Sequence, residues 1–136
     1  MEKTGRRPDN WLTAVVLTHL VITVVHGAAH QGAAVPLGLL GTIFVVLVIE
    51  VGPLAGLAVA RLRPSLGGWI VAASMAGALV FGFVNHFVLI SPDHVSHVTP
   101  DWRPLFAASA ALLAVTEAAG VAAGWRHATR AMEARP

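Results

Sequence analysis

The sequence predicts an all-α protein, an integral membrane four-helix bundle threaded up-down-up-down. Three observations carry this. Of 136 residues, 56% are hydrophobic and only 12% are charged, about half the charged share of a typical soluble domain. The apolar residues gather into four runs of spanning length. The basic residues lie between or outside those runs.

A membrane-spanning helix takes about 20 predominantly apolar residues. Four stretches qualify, at about 11–30, 37–60, 67–90 and 104–125, followed by a polar C-terminal tail at 126–136. The separators carry helix breakers: Gln31-Gly32 and Pro36, then Pro64 with Gly67-Gly68, then Ser91-Pro92 through Pro104. Backbone polar groups must be satisfied internally in lipid, so helices fit these runs, and the alternation a barrel needs is missing. A chain of this length makes one domain, here a single transmembrane domain over 1–136. The apolar stretch after the basic start runs from Trp11 to about Pro36. That exceeds the ~7–15-residue core of a signal peptide, so helix 1 is expected to be retained.

Charge placement sets the expected orientation. Lys3, Arg6 and Arg7 precede helix 1, Arg61 and Arg63 lie between helices 2 and 3, and Arg126, Arg130 and Arg135 follow helix 4. The other side carries Arg103. The positive-inside rule predicts a multi-pass protein of the cell (inner) membrane with both termini cytoplasmic. The pI of about 10.5 therefore reflects topology, and no nucleic-acid partner is expected. Trp11, Trp69, Trp102 and Trp125 fall at helix ends, where interfacial aromatics belong. Gly120 and Gly124 on helix 4, and Gly77 and Gly82 on helix 3, suit close helix packing. The bilayer is the first partner, with a homo-oligomer or a larger membrane complex as further candidates.

Ionisable residues inside spans are costly and mark function by default. His19, His26 and His30 are spaced seven and four residues apart, which places them within about 40° on one helix face. His86 lies about one turn inside the end of helix 3, at the depth of His26. The loop after it adds Asp93, His94 and His97. Five of seven histidines thus converge on the outer end: His26, His30, His86, His94 and His97. Neutral imidazole is a ligand for Zn, Cu, Fe and Ni, and the chain has no Cys to offer a thiolate. His26, His30 and His86 would supply three nitrogens, with His94 or His97 completing a tetrahedron. Haem b is the other cofactor considered, with His26 and His86 as axial ligands and Gly27 and Gly82 making room. It leaves the remaining histidines unused and offers its propionates only Arg103, so an ion (Cu, Zn or Fe) accounts for more of the pattern.

A second polar layer is expected deeper. His19, Glu50 and Glu117 each lie thirteen residues from the outer end of their helices, about 20 Å down. Pro53 comes just after Glu50 and frees the carbonyl of Ile49, an opening that suits a polar site. The ligand set resembles that of di-iron bundles only in residue type, because the Glu-x-x-His motif is missing. The sequence holds no nucleophile elbow, phosphate loop or HExxH, so no catalytic residue is assigned. The expected function is a His-rich metal or haem site near the outer face, serving redox chemistry or metal handling. The alternatives are an ion or proton transporter protomer that uses the Glu50, Glu117 and His19 layer, and a non-catalytic accessory subunit.

Overall fold

A computed structural model describes residues 10–134, and those residues form four helices. They are α1 (Asn10–Gly32), α2 (Leu39–Ala60), α3 (Pro64–Val88) and α4 (Arg103–Glu133), each long and apolar enough to cross a membrane. Lys3, Arg6, Arg7 and Arg135, which bear on the expected orientation, lie outside the described residues. Two boundaries differ from expectation for local reasons. α3 starts at Pro64 rather than Gly67, because proline's fixed φ suits the first helical turn. α4 continues to Glu133 through the segment expected to be a polar tail. No breaker lies between Gly124 and Glu133, and the Ala, Arg, Met and Glu residues there are good helix formers.

Two helices contain a π-helical stretch. In α2 it covers Val45–Val51 and includes Glu50. Pro53 stands just beyond, has no N–H to give back to Ile49, and crowds its carbonyl. In α3 the π stretch is the last turn, Val84–Val88, closed by Leu89 N–H donating to Val84 O over 2.8 Å. That turn carries His86.

The four helices are not packed evenly. α4 lies against α3 and α1, α3 lies against α2, and α1 meets α2 mainly along Gly52–Ala60. Leu12, Val16, Leu57, Val71, Met75 and Ala123 form one buried apolar cluster. It joins the start of α1 and α3 to the end of α2 and α4, so neighbours in sequence run antiparallel. Small residues let the backbones touch at this end. A Cβ on Gly68 would come within 2.7 Å of Gly124 O, and one on Gly124 within 2.7 Å of Gly68 O. Gly67 likewise stands close to the backbone of Ala60. At the opposite end Ala29, Ala33, Val35, Val98 and Phe106 make a second cluster between α1, α4 and their loops. Between α1 and α2 at that end the bundle stays open. It is a wedge, tight at the glycine end and splayed at the histidine end.

Gly120 and Gly124 therefore serve packing within the bundle: Gly120 abuts Met75 of α3. Trp11, Trp69 and Trp102 sit partly exposed near helix ends, whereas the extension of α4 leaves Trp125 inside that helix, where it meets Trp69 edge-to-face with centroids 5.2 Å apart. Gly124→Leu should lower the thermal midpoint of the detergent-solubilised protein, since overpacking costs about 1–3 kcal/mol and here it meets backbone. Gly27→Ala, where a Cβ meets nothing within 4 Å, should leave the midpoint almost unchanged. Equal melting curves for the two variants would refute the wedge.

Candidate functional site

Three histidines come together at the splayed end. His26 and His30 project from one face of α1, a turn apart, and His86 comes from the π turn of α3. All three are buried and offer ligand atoms within 4.8 Å of one another, so they can hold a metal ion. Phe106 of α4 sits against all three rings, with centroids 4.8 Å from His26, 4.8 Å from His30 and 5.1 Å from His86. It is fully buried and forms the apolar backing of the cluster.

Hydrogen bonding fixes the direction in which these rings face. The Ser109 hydroxyl donates to Leu105 O over 2.7 Å. The same hydroxyl pairs with His26 Nδ1 over 2.9 Å. His86 Nδ1–H donates to Asp93 O over 3.2 Å, with Asp93 Oδ1 also 3.3 Å away. His86 therefore carries its hydrogen on Nδ1 and keeps a lone pair on Nε2. The Nε2 atoms of His26 and His86 face each other at 3.1 Å. At that distance the two nitrogens share a hydrogen or, with both unprotonated, stand ready for a metal ion. His30 Nδ1 lies 3.4 Å from Val35 O. That carbonyl is turned under the ring by the tight end of α1, where Ala34 takes a left-handed conformation at φ 53°.

Asp93 closes the site from the α3–α4 loop. Its Oδ1 lies 3.4 Å from His30 Nε2 and has no well-formed hydrogen bond among the described residues. Burial pulls the Asp93 carboxyl up, but the hydrogen-bond contact with His86 and the closeness of the histidine rings outweigh it and hold the group below its ordinary value of 3.8. It is a carboxylate near neutral pH.

The loop histidines are placed elsewhere. His94 Nδ1 pairs with Ser96 Oγ at 2.7 Å, and the exposed His97 Nδ1 donates to Ser91 O over 2.8 Å. Their rings neighbour each other at 5.9 Å and stand outside the three-histidine group. The loop turns them back on its own backbone. The deeper residues divide in a similar way. His19 Nε2 and Glu117 Oε1 are 3.4 Å apart and both buried. Glu50 is half-buried on the π stretch and lines a cavity.

That cavity, of about 570 Å³, runs between α1 and α2 and reaches all four helices. His26, His30, His86 and Asp93 lie along it at one end, Glu50 and Glu117 at the other. Gly27 and Gly82 line it as well. Thr23 lies on its wall one turn from His19 and donates to His19 O over 3.0 Å.

Neither Phe106 nor Ser109 stands out in the sequence. They are three residues apart on one face of α4, at the depth of His26 and on the side facing α1. An apolar ring and a small hydroxyl on an Ala-rich helix carry no signal until the facing helix is known. Fold and cluster together define a four-helix bundle, its helices long and apolar enough to span a membrane, with a buried three-histidine centre. No family model matches the chain, and no curated protein or solved structure resembles it detectably.

The His19–Glu117 pair has a measurable consequence. Glu117→Ala would leave His19 buried without its acceptor, at a cost of about 1–3 kcal/mol, whereas Glu117→Gln keeps an oxygen there and should lose clearly less. Unfolding in mixed micelles reports both. A pair that does no structural work would show no difference between the two variants.

Proposed function

We propose that His26, His30 and His86 bind one transition-metal ion through their Nε2 atoms, and that the bundle exists to present that ion to the cavity. The observation that carries this is the three buried histidines with ligand atoms within 4.8 Å of one another, the Nε2 atoms of His26 and His86 only 3.1 Å apart. Two nitrogens on one tetrahedral ion, at bonds of about 2.0–2.1 Å, stand about 3.3 Å apart. Two nitrogens trans across a haem iron stand about 4 Å apart with a macrocycle between them. Here Phe106 and His30 crowd that space, so the geometry favours an ion over haem. The surrounding bonds support the same reading: Ser109 and Asp93 hold the Nδ1 positions, as outer partners of metal-bound histidine do. Three imidazoles suit Cu, Zn, Fe or Ni.

Three protein ligands leave a coordination position for another molecule, the arrangement of working rather than purely structural sites. Redox chemistry or metal handling at the membrane is the corresponding role. The shared cavity also favours an ion path as a second reading, in which the ion moves from the histidines toward Glu50 and Glu117.

Elemental analysis of the purified protein tests the proposal. One metal per chain is expected, without a Soret band, and lost in His26→Ala and in His86→Ala. Ser109→Ala and Asp93→Asn should weaken affinity about 10–100-fold, and His94→Ala and His97→Ala should not. Metal-free protein that stays metal-free on reconstitution points to a shared proton instead. Rapid exchange of the ion, in place of retention through desalting, would favour the ion path.

We further propose that both termini face the cytoplasm and the histidine end faces outward, on the strength of Arg61, Arg63, Arg126 and Arg130 gathering at the glycine end. The chain has no Cys, so single cysteines are unique reporters. In intact cells an impermeant maleimide should label Ser96→Cys and spare Arg63→Cys, and the reverse pattern would invert the topology.

A further inference from the structure

The cavity has two chemistries and an opening that faces lipid. Its histidine end supplies the three rings and Asp93, while Val45, Ile49, Phe81, Ala110 and Leu113 give it apolar walls. Around the histidine end, Ala29, Ala33, Val35, Val98 and Phe106 fill the α1–α4 side. The cavity therefore opens toward the α1–α2 seam, where the helices separate. The outward surfaces of α1 and α2 at that level are apolar, with Val24, Val25, Leu40, Ile43 and Leu47 all exposed. In a membrane such a surface is covered by acyl chains. A molecule dissolved in the bilayer can reach the cavity through the seam without crossing water.

We propose that the cavity takes a single-chain, lipid-soluble molecule with an oxygen donor at its head, a fatty acid, alcohol or aldehyde, entering between α1 and α2 with that oxygen at the three-histidine end. This rests on the metal reading above and names what fills the ion's remaining position. Three neutral imidazoles leave the ion's charge uncompensated apart from the nearby Asp93, so a neutral or singly anionic oxygen is the matching head. The apolar walls accept a chain, and the carboxyl groups of Glu50 and Glu117 at the far end of the cavity leave the α1–α2 seam as the path for its tail. The size argues for one chain rather than two, since 570 Å³ falls within the ~300–1,000 Å³ of pockets for drug-sized ligands. Gly27 keeps the space clear, because even a Cβ there meets nothing within 4 Å.

The test uses Co(II) as a spectroscopic metal in the full-length protein in nanodiscs, with hexadecanoate and acetate as probes carrying the same head. Each buried methylene adds roughly fourfold in affinity. Hexadecanoate should therefore perturb the Co(II) absorption bands at concentrations at least about 100-fold below acetate. Gly27→Phe and Ala114→Phe fill the cavity from α1 and α4. They should bind Co(II) like the unmodified protein and lose the preference for the long chain. Equal potency of the two probes on the unmodified protein would overturn the inference. So would a preference that survives in both filled variants, which would reflect bilayer partitioning alone. If the unmodified protein binds no Co(II), the metal reading itself falls. Co(II) binding without chain preference leaves that reading standing and removes only this one.

Discussion

The contact on which the architecture depends is the backbone approach of α3 and α4 at Gly68 and Gly124. In lipid there is little hydrophobic force between helices, so association relies on close packing. Where side chains are absent, carbonyls and Cα atoms of the two helices meet directly, and Gly67 against Ala60 brings α2 in on the same terms. These contacts draw one end of the bundle shut. At the other end His86, Phe81 and Phe106 hold the helices apart by their bulk, and α1 and α2 have no comparable pair of small residues facing each other. The cavity is the geometric remainder of a bundle fastened at one end.

The polar groups inside it obey a stricter rule than in a soluble protein. Water cannot satisfy a stray donor in the hydrocarbon region. His19 has Glu117, Thr23 returns its hydroxyl to its own helix, and Ser109 does the same while pairing with His26. Against this background of pairing, the Nε2 atoms of His26 and His86 face each other at 3.1 Å, and Asp93 Oδ1 stands close to two rings without a formed bond. Imidazole nitrogens and a carboxylate oxygen concentrated in one place are what a cation site needs.

Much of this is legible in the sequence, and what is legible depends on one-dimensional information. Spanning runs and breakers define the four helices because length and apolarity decide them. The equal depth of His26 and His86 comes from counting residues from helix ends at constant rise. Glu117 and His19 meet because depth and face both agree. The loop histidines are not readable in this way. Proximity in sequence suggests that His94 and His97 join the cluster, but a loop's path is set by its own turns, and these bind the imidazoles to Ser96 and Ser91. Asp93, just before them, is the loop residue that reaches the cluster. Phe106 and Ser109 are invisible for the opposite reason: their roles exist only relative to α1.

Proline links the local and the global levels. The missing N–H of Pro53 loosens α2 near Glu50, and the helix there widens into a π stretch over Val45–Val51. A π turn adds a residue to the helix circumference and so rotates the next segment about the helix axis. Without it, the stripe of small residues from Gly56 to Ala60 that fits α3, and the carboxylate of Glu50 that lines the cavity, would be out of register with each other. The same device ends α3. The wide turn Val84–Val88 carries His86 toward α1 and brings the chain round so that Asp93 lies beneath it. Irregular helix is costly in lipid unless it borders a cavity or is buried in protein. Both π stretches here contribute residues to the one cavity, Glu50 from α2 and His86 from α3. The irregularities and the site thus explain each other: the cavity makes the wide turns tolerable, and the wide turns place the groups that give the cavity its chemistry.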